Sequence, residues 1–232
     1  MSAFAFTAAR AAAPVDSDEF EHWWHRPGSW VEPVNRRRSG ESGVRLLQQQ
    51  GNCPPLYCKR QLGHTYRTLR HPFGRPTILR ELQAYRALAQ LGLKTPGIVY
   101  CAARQQRGEW QALLITEALQ GFVSLEQWYT ESIDPRLGKA VLRQLAITLA
   151  RMHLAGWQHG CCYPKHIFVR AWAGGDRDAE AEIALLDLEK SRRRWRFLSA
   201  SRHDLHQLER HRGAMPETDL SYLRQIYWDS LN

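Results

Sequence analysis

The sequence predicts an α+β fold in two lobes, β-rich over residues 20–118 and α-rich over residues 119–232, with residues 1–19 as an N-terminal arm. Three observations lead there. Short strand-like runs and one helical pattern fill the first half, whereas long runs of helical period fill the second. A chain of 232 residues can bury a sizeable core in one large domain or two small lobes. A composition of 44% hydrophobic and 24% charged residues is globular rather than disordered.

The elements follow in order. "MSAFAFTAARAAAPVD" has no basic leader and is broken by Arg10, so a signal peptide is not expected. "EHWWHRPGSWVEPVN" is aromatic and Pro-rich; its Trp23, Trp24 and Trp30 are expected to pack as core. "PPLYCKRQ" alternates Leu56 and Cys58 with Tyr57 and Lys59, a short strand, while "HTYRTLRHPFGRP" reads as a loop because of its Pro and Gly. Ile78, Leu82, Tyr85, Leu88 and Leu91 share one helical face, with Thr77 as N-cap and Gly92 as the stop. "GIVYCA" and "WQALLITEAL" form a hairpin across "ARQQRGE". Leu137, Val141, Leu145, Leu149 and Met152 mark a long amphipathic helix ending at Gly156. The strand "IALLD" follows a Gly-Asp loop, "AGGDRD", and "SRHDLHQLERH" and "DLSYLRQIYWDSL" are helical.

The formal charge is +9, with 32 basic residues against 23 acidic ones. Such a surface draws polyanions, or simply keeps the protein soluble. No nucleic-acid-binding motif accompanies the charge, so nucleic acid is not an expected partner. No run approaches the roughly 20 apolar residues of a membrane span. Five cysteines, at 53, 58, 101, 161 and 162, form no C-x-x-C pair, which suits reduced thiols in the cytosol.

A phosphoryl-transfer site needs a phosphate cradle, a lysine, a metal-binding carboxylate and a group that orients the nucleophile. "SGESGV" offers Gly40 and Gly43 as a Gly-rich loop whose N–H groups approach phosphate, with a plain hairpin turn as the competing reading. Lys59 on the next strand is placed for phosphate oxygens, and Glu81 on the following helix for an ion pair with Lys59. "LLITEALQG" is the strand into a hinge, where backbone near Glu117 would meet an adenine.

The stretch "WQHGCCYPKHIFV" is more specific. The kinase loop H-R-D-L-x-x-x-N falls without gaps on His159 to His166. His159 matches, Gly160 stands for Arg, Cys161 for the base Asp, and His166 for Asn. Asp187, closing "IALLD", falls where the metal-binding Asp belongs. Asp204 in "SRHDLHQL" is a candidate anchor for the loop, and "SRRRWR" reads as a solvated basic face.

With "NRRRSGESGV", "KRQLGHTYRTLRHPFGRPTILRE" and "ALLDLEKSRRR", these segments resemble the InaA-type branch of the lipopolysaccharide core kinases, the protein-kinase-like Kdo and heptose kinases. The resemblance spans roughly residues 23 to 225. It implies a two-lobed protein-kinase-like fold, ATP and Mg²⁺ as cofactors, and phosphorylation of a sugar hydroxyl on the lipopolysaccharide core. It further implies a cytoplasmic protein of a Gram-negative bacterium whose partner is the lipopolysaccharide core or another anionic glycolipid, with peripheral contact to the inner-membrane surface. By position it assigns Lys59 to the phosphates, Glu81 to Lys59, and Asp187 and His166 to the metal. Catalytic expectations then rest on His159, Cys161 and Asp187. Because Cys161 replaces the Asp base, a pseudokinase that binds nucleotide or a partner without transfer is the alternative reading.

Overall fold

The computed structural model describes residues 16–37, 40–51, 53–69, 71–131, 134–173 and 179–231. The N-terminal arm through residue 15 and the Gly-Asp loop at 174–178 lie outside them.

The first half is an antiparallel sheet with one helix on each face. Helix α1 (Ser17–His25) starts at Asp16, whose carboxylate accepts the N–H groups of Asp18 and Glu19. It is followed by β1 (Ser29–Trp30), β2 (Asn35–Arg37), β3 (Gly40–Leu47) and β4 (Leu56–Leu62). A small hairpin, β5 (Thr65–Thr68) and β6 (His71–Pro76), leads into α2 (Thr77–Gln90). The long pair β7 (Ile98–Gln106) and β8 (Glu109–Glu117) completes the sheet in the order β1-β3-β4-β8-β7, with β2 also on β3.

The chain then enters a mainly helical half. Strand β9 (Val123–Ser124) and the short helix α3 (Leu125–Trp128) precede α4 (Pro135–Leu154), which is capped by the Asp134 carboxylate and followed by Gly156 at φ +76°. The short strand β10 (Trp157–Gln158), then β11 (Ile167–Trp172) and β12 (Glu180–Leu185), carry the loops of interest. A further short strand, β13 (Arg192–Arg193), precedes α5 (Phe197–Arg210) and α6 (Glu217–Asp229).

Two apolar clusters hold these layers. The larger one joins α2, α4, α6 and the β11–β12 hairpin through residues such as Leu88, Leu145, Leu149, Ile167 and Leu223. The smaller one lies on the outer face of the sheet, where Phe20 of α1 packs with Leu47, Leu56, Cys58, Leu113 and Ile115. The expected break between arm and lobe at residue 20 therefore runs through a helix whose Phe20 is fully buried. Trp23 and Trp24 pack against this cluster, whereas Trp30 is 43% exposed.

Two local expectations are corrected. Residues 65–68 and 71–76 pair as a hairpin where a loop was expected, because Pro72 sits on an edge strand where its missing N–H is not needed. Thr77 is the first residue of α2 and not its cap, which the site explains below. The five cysteines are all free thiols. No helix among the described residues is long and apolar enough to cross a membrane.

If α1 belongs to the folded unit, Phe20→Ala should cost about 3 kcal/mol by removing the centre of the outer cluster. Urea unfolding reads this directly, and a loss under 1 kcal/mol would detach α1 from the core.

Candidate nucleotide and metal site

Strand alternation turns Lys59 and Gln61 to one face of the sheet and Cys58 and Arg60 to the other. On the first face Gln61 does what a cap residue would do. Its Oε1 accepts the Ile78 N–H at 3.1 Å and the Thr77 hydroxyl at 3.0 Å, so β4 holds the start of α2 directly. One turn on, Glu81 is 2% exposed and faces Lys59.

Lys59 Nζ lies 2.8 Å from Glu81 Oε2, 2.9 Å from Asp187 Oδ1 and 3.2 Å from Glu189 Oε2. The Tyr85 hydroxyl closes the circuit, donating to Glu81 Oε1 at 3.2 Å and accepting the Asp187 N–H at 3.2 Å. Asp187 follows β12 in the left-handed region at φ 53°, uncommon for a residue with a Cβ. Arg80 donates to the Glu189 carbonyl and lies over the Tyr66 ring, tying that turn to α2 and the β5–β6 hairpin.

The ionisation of these groups follows from their neighbours. Burial disfavours the charged lysine, but Asp187, Glu81 and Glu189 together hold Lys59 well above its ordinary pKa. Burial likewise opposes the Asp187 carboxylate, and Lys59 overcomes it, leaving Asp187 below the usual range. Glu81, enclosed more completely, is pushed up by burial despite Lys59.

Opposite this cluster lies the 159–166 loop. His166 Nδ1 donates to the Cys161 carbonyl at 2.9 Å, since a carbonyl only accepts. Burial lowers its pKa, so in the neutral ring the Nε2 lone pair faces Asp187 Oδ2 at 3.5 Å. Two acceptors turned toward each other are relieved by a proton or a cation between them.

Ligand atoms of Glu81, Asp187 and Glu189 lie within 4.8 Å of one another. Oxygen donors of this kind fit Mg²⁺, and the His166 nitrogen is the poorer ligand for it. Asp187 and His166, both expected as metal ligands, are thus neighbours, and Glu189 joins them.

The loop itself is anchored from α5, as the reading of Asp204 anticipates. Asp204 is fully buried; its Oδ2 accepts the His159 N–H at 2.6 Å and His153 Nε2 at 3.1 Å, and its Oδ1 accepts the Gly160 N–H at 3.0 Å. His203 Nδ1 adds a contact at 3.1 Å. Gly160 holds φ +86°, and a Cβ there would stand 2.5 Å from the Lys190 carbonyl oxygen. Glycine at this position is therefore a close-packing requirement.

Several expected residues stand differently. His159 is fully buried, its Nδ1 accepts the Cys161 N–H at 3.3 Å, and burial drives its pKa down to about 4. A neutral enclosed ring with one nitrogen engaged supports the loop and does not reach a substrate. Cys161 is 3% exposed, with its thiol pushed up first by burial and then by Asp187. It is no proton acceptor at neutral pH.

Gly40 and Gly43 lie within β3 and not on a loop. A Cβ at Gly40 would meet the backbone of Gly63 and His64 at 2.7 Å, and one at Gly43 would meet Trp30 at 2.7 Å. Both glycines are needed for packing within the protein. The Glu117 N–H is donated to the Gly97 carbonyl at 2.8 Å and that of Ala118 to Pro55 at 3.1 Å, so neither donor is left for an adenine. Gln61, Tyr85 and Glu189 were missed; the i, i+4 spacing of Glu81 and Tyr85 was the one available signal.

A family model described as the lipopolysaccharide kinase (Kdo/WaaP) family matches residues 21–227. The chain belongs to that family. The match takes in both halves of the fold and every residue of the Lys59 cluster. Among family relatives, protein InaA of Escherichia coli K12 is 41% identical over 221 residues, covering 94% of this chain and 99% of InaA. The lipopolysaccharide core heptose(I) kinase WaaP of Escherichia coli is 29% identical over 131 residues, 50% of this chain and 48% of WaaP.

Asp204→Asn replaces a carboxylate that accepts four hydrogen bonds, with an expected loss of about 3 kcal/mol at pH 7. Its folded pKa lies below the ordinary value because of His153 and His203, against the opposing effect of burial. The deficit is therefore complete above the ordinary carboxylate pKa of about 4 and shrinks as pH falls below it. Urea unfolding of both proteins between pH 7 and pH 3 checks this, and a deficit that does not change with pH contradicts it.

Proposed function

We propose that the chain is an ATP-dependent kinase that phosphorylates a sugar hydroxyl of the lipopolysaccharide core at the cytoplasmic face of the inner membrane. The observation that carries this reading is one ammonium, Lys59, held between a helix carboxylate, Glu81, and a post-strand carboxylate, Asp187. Phosphoryl transfer depends mainly on positioning and charge stabilisation, and this arrangement supplies both. Lys59 would hold phosphate oxygens with Glu81 keeping it in place, and Asp187 with His166 and Glu189 would hold the divalent cation. Mg²⁺ held there would supply neutralisation of phosphate charge. The acceptor oxygen forms the new bond to γ-phosphorus as the bond to the β–γ bridging oxygen breaks, and the hydroxyl proton passes to solvent or the transferred phosphate.

The weak step is that proton. General-base help is worth on the order of 10²–10⁴-fold, and the neutral thiol of Cys161 does not provide it. The burial of Cys161 and His159 therefore favours a second reading, a family member that binds Mg-nucleotide without turnover.

Transfer of label from γ-labelled ATP to lipopolysaccharide whose core phosphates have been removed distinguishes the two. The first reading expects slow Mg²⁺-dependent transfer, raised at least tenfold by Cys161→Asp and abolished by Asp187→Asn. Mg-nucleotide binding without transfer in either the native protein or Cys161→Asp would establish the second.

A further inference from the structure

The outer face of the N-terminal sheet, turned away from Lys59, carries two arginines that no acidic side chain holds among the described residues. The strand register pairs Arg45 with Cys58 and Gly43 with Arg60, so Arg45 and Arg60 are diagonal neighbours on one face. Each guanidinium lies on an indole, Arg45 at 4.3 Å from the centre of Trp30 and Arg60 at 4.1 Å from that of Trp24. Arg45 Nε is buried without a hydrogen-bond partner, a state that buried donors rarely keep without a reason. Burial and the charge of Arg45 also hold Arg60 below its ordinary pKa, so the two cations repel each other.

Between them is a hollow of about 200 Å³, walled by Trp24, Trp30, Val34, Arg45 and Arg60. That leaves space for several waters, or for an oxyanion with a small organic group. Glu41 also lines it, but its charge is paired with Arg36 at 2.9 Å. Gly43 makes the hollow possible. A Cβ there would stand 2.7 Å from Trp30, so the bare glycine lets the indole cross the strand and support Arg45.

We propose that this hollow is a second ligand site, independent of the Lys59 site, that takes a phosphate monoester. Arg45 and Arg60 grip the phosphate oxygens, and Trp24 and Trp30 flank the organic part. Guanidinium forks match phosphate oxygens bidentately, and stacking on the indoles fixes their planes beforehand, which lowers the cost of ordering them on binding. An anion between the two guanidinium groups relieves the repulsion between them. Because Cys58 and Arg60 face away from Lys59, the ligand occupies the site without displacing a nucleotide.

The test is thermal unfolding of the whole chain without nucleotide, titrated with glucose 6-phosphate or with phosphatidic acid vesicles. Glucose with sodium chloride at equal ionic strength and neutral phosphatidylcholine vesicles are the respective controls. A saturable rise of about 3 °C over the control is expected. It should disappear in Arg45→Gln and in Arg60→Gln, whose own cooperative transitions report that they fold. A response to the sugar phosphate identifies a soluble ligand; a response to phosphatidic acid alone identifies a lipid headgroup. No saturable rise in the native protein, or a rise that both arginine variants retain, overturns the proposal.

Discussion

A lysine ammonium buried among three carboxylates decides how the two halves of this chain meet. An unpaired buried charge costs several kcal/mol, so Lys59 is tolerable only while Glu81, Asp187 and Glu189 surround it. Those partners come from a helix and from a turn more than 100 residues away in the chain. Their convergence requires that β4 hold α2 and that the β11–β12 hairpin dock beneath it. Gln61 meets the first requirement by capping α2 from the strand, and Tyr85 meets the second by bonding both Glu81 and the Asp187 backbone. One positive charge facing three negative ones, with the neutral His166 turned toward Asp187, leaves negative charge in excess. That excess suits a divalent cation carrying phosphates.

The loop opposite is built with equal care but for a different end. Asp204 fixes the backbone of His159 and Gly160, and Gly160 admits the Lys190 carbonyl where any Cβ would collide. On the proposed function, this frame would hold a transfer loop around a residue, Cys161, whose buried thiol takes up no proton at neutral pH. On the same reading, positioning and charge stabilisation on one side, and the missing base on the other, would set the balance between slow transfer and nucleotide binding alone.

Much of this was legible in the residues. Strand alternation and helical period turn Lys59 and Glu81 toward each other, and Asp187 stood out by closing "IALLD"; the structure brings the three together as ion pairs. Helices α2 and α4 announced themselves by their apolar faces and by Gly92 and Gly156 behind them. What was misread shares a cause. Gly40 and Gly43 looked like a phosphate loop, yet a glycine needed for close packing inside a strand leaves the same trace in sequence. Pro72 and Gly74 suggested a loop where an edge hairpin tolerates both. Burial of His159 and the use of the Glu117 N–H by Gly97 depend on contacts across the fold, which no local pattern records. Glu189 left no readable trace, since a position two residues past Asp187 says nothing about a tight turn bringing it back to Lys59.

The central claim is that the Lys59 cluster is a site for a metal-bound nucleotide. Thermal unfolding with saturating Mg-ATP, compared with the same ATP in excess EDTA, tests it most directly. A ligand at 100 times its Kd that binds only the native state adds about 2.7 kcal/mol, a shift on the order of 5–10 °C for a chain of this size. A shift of that size with Mg-ATP, lost in EDTA, is the predicted result. The same unfolding temperature in all conditions, or an equal shift with and without Mg²⁺, would contradict it.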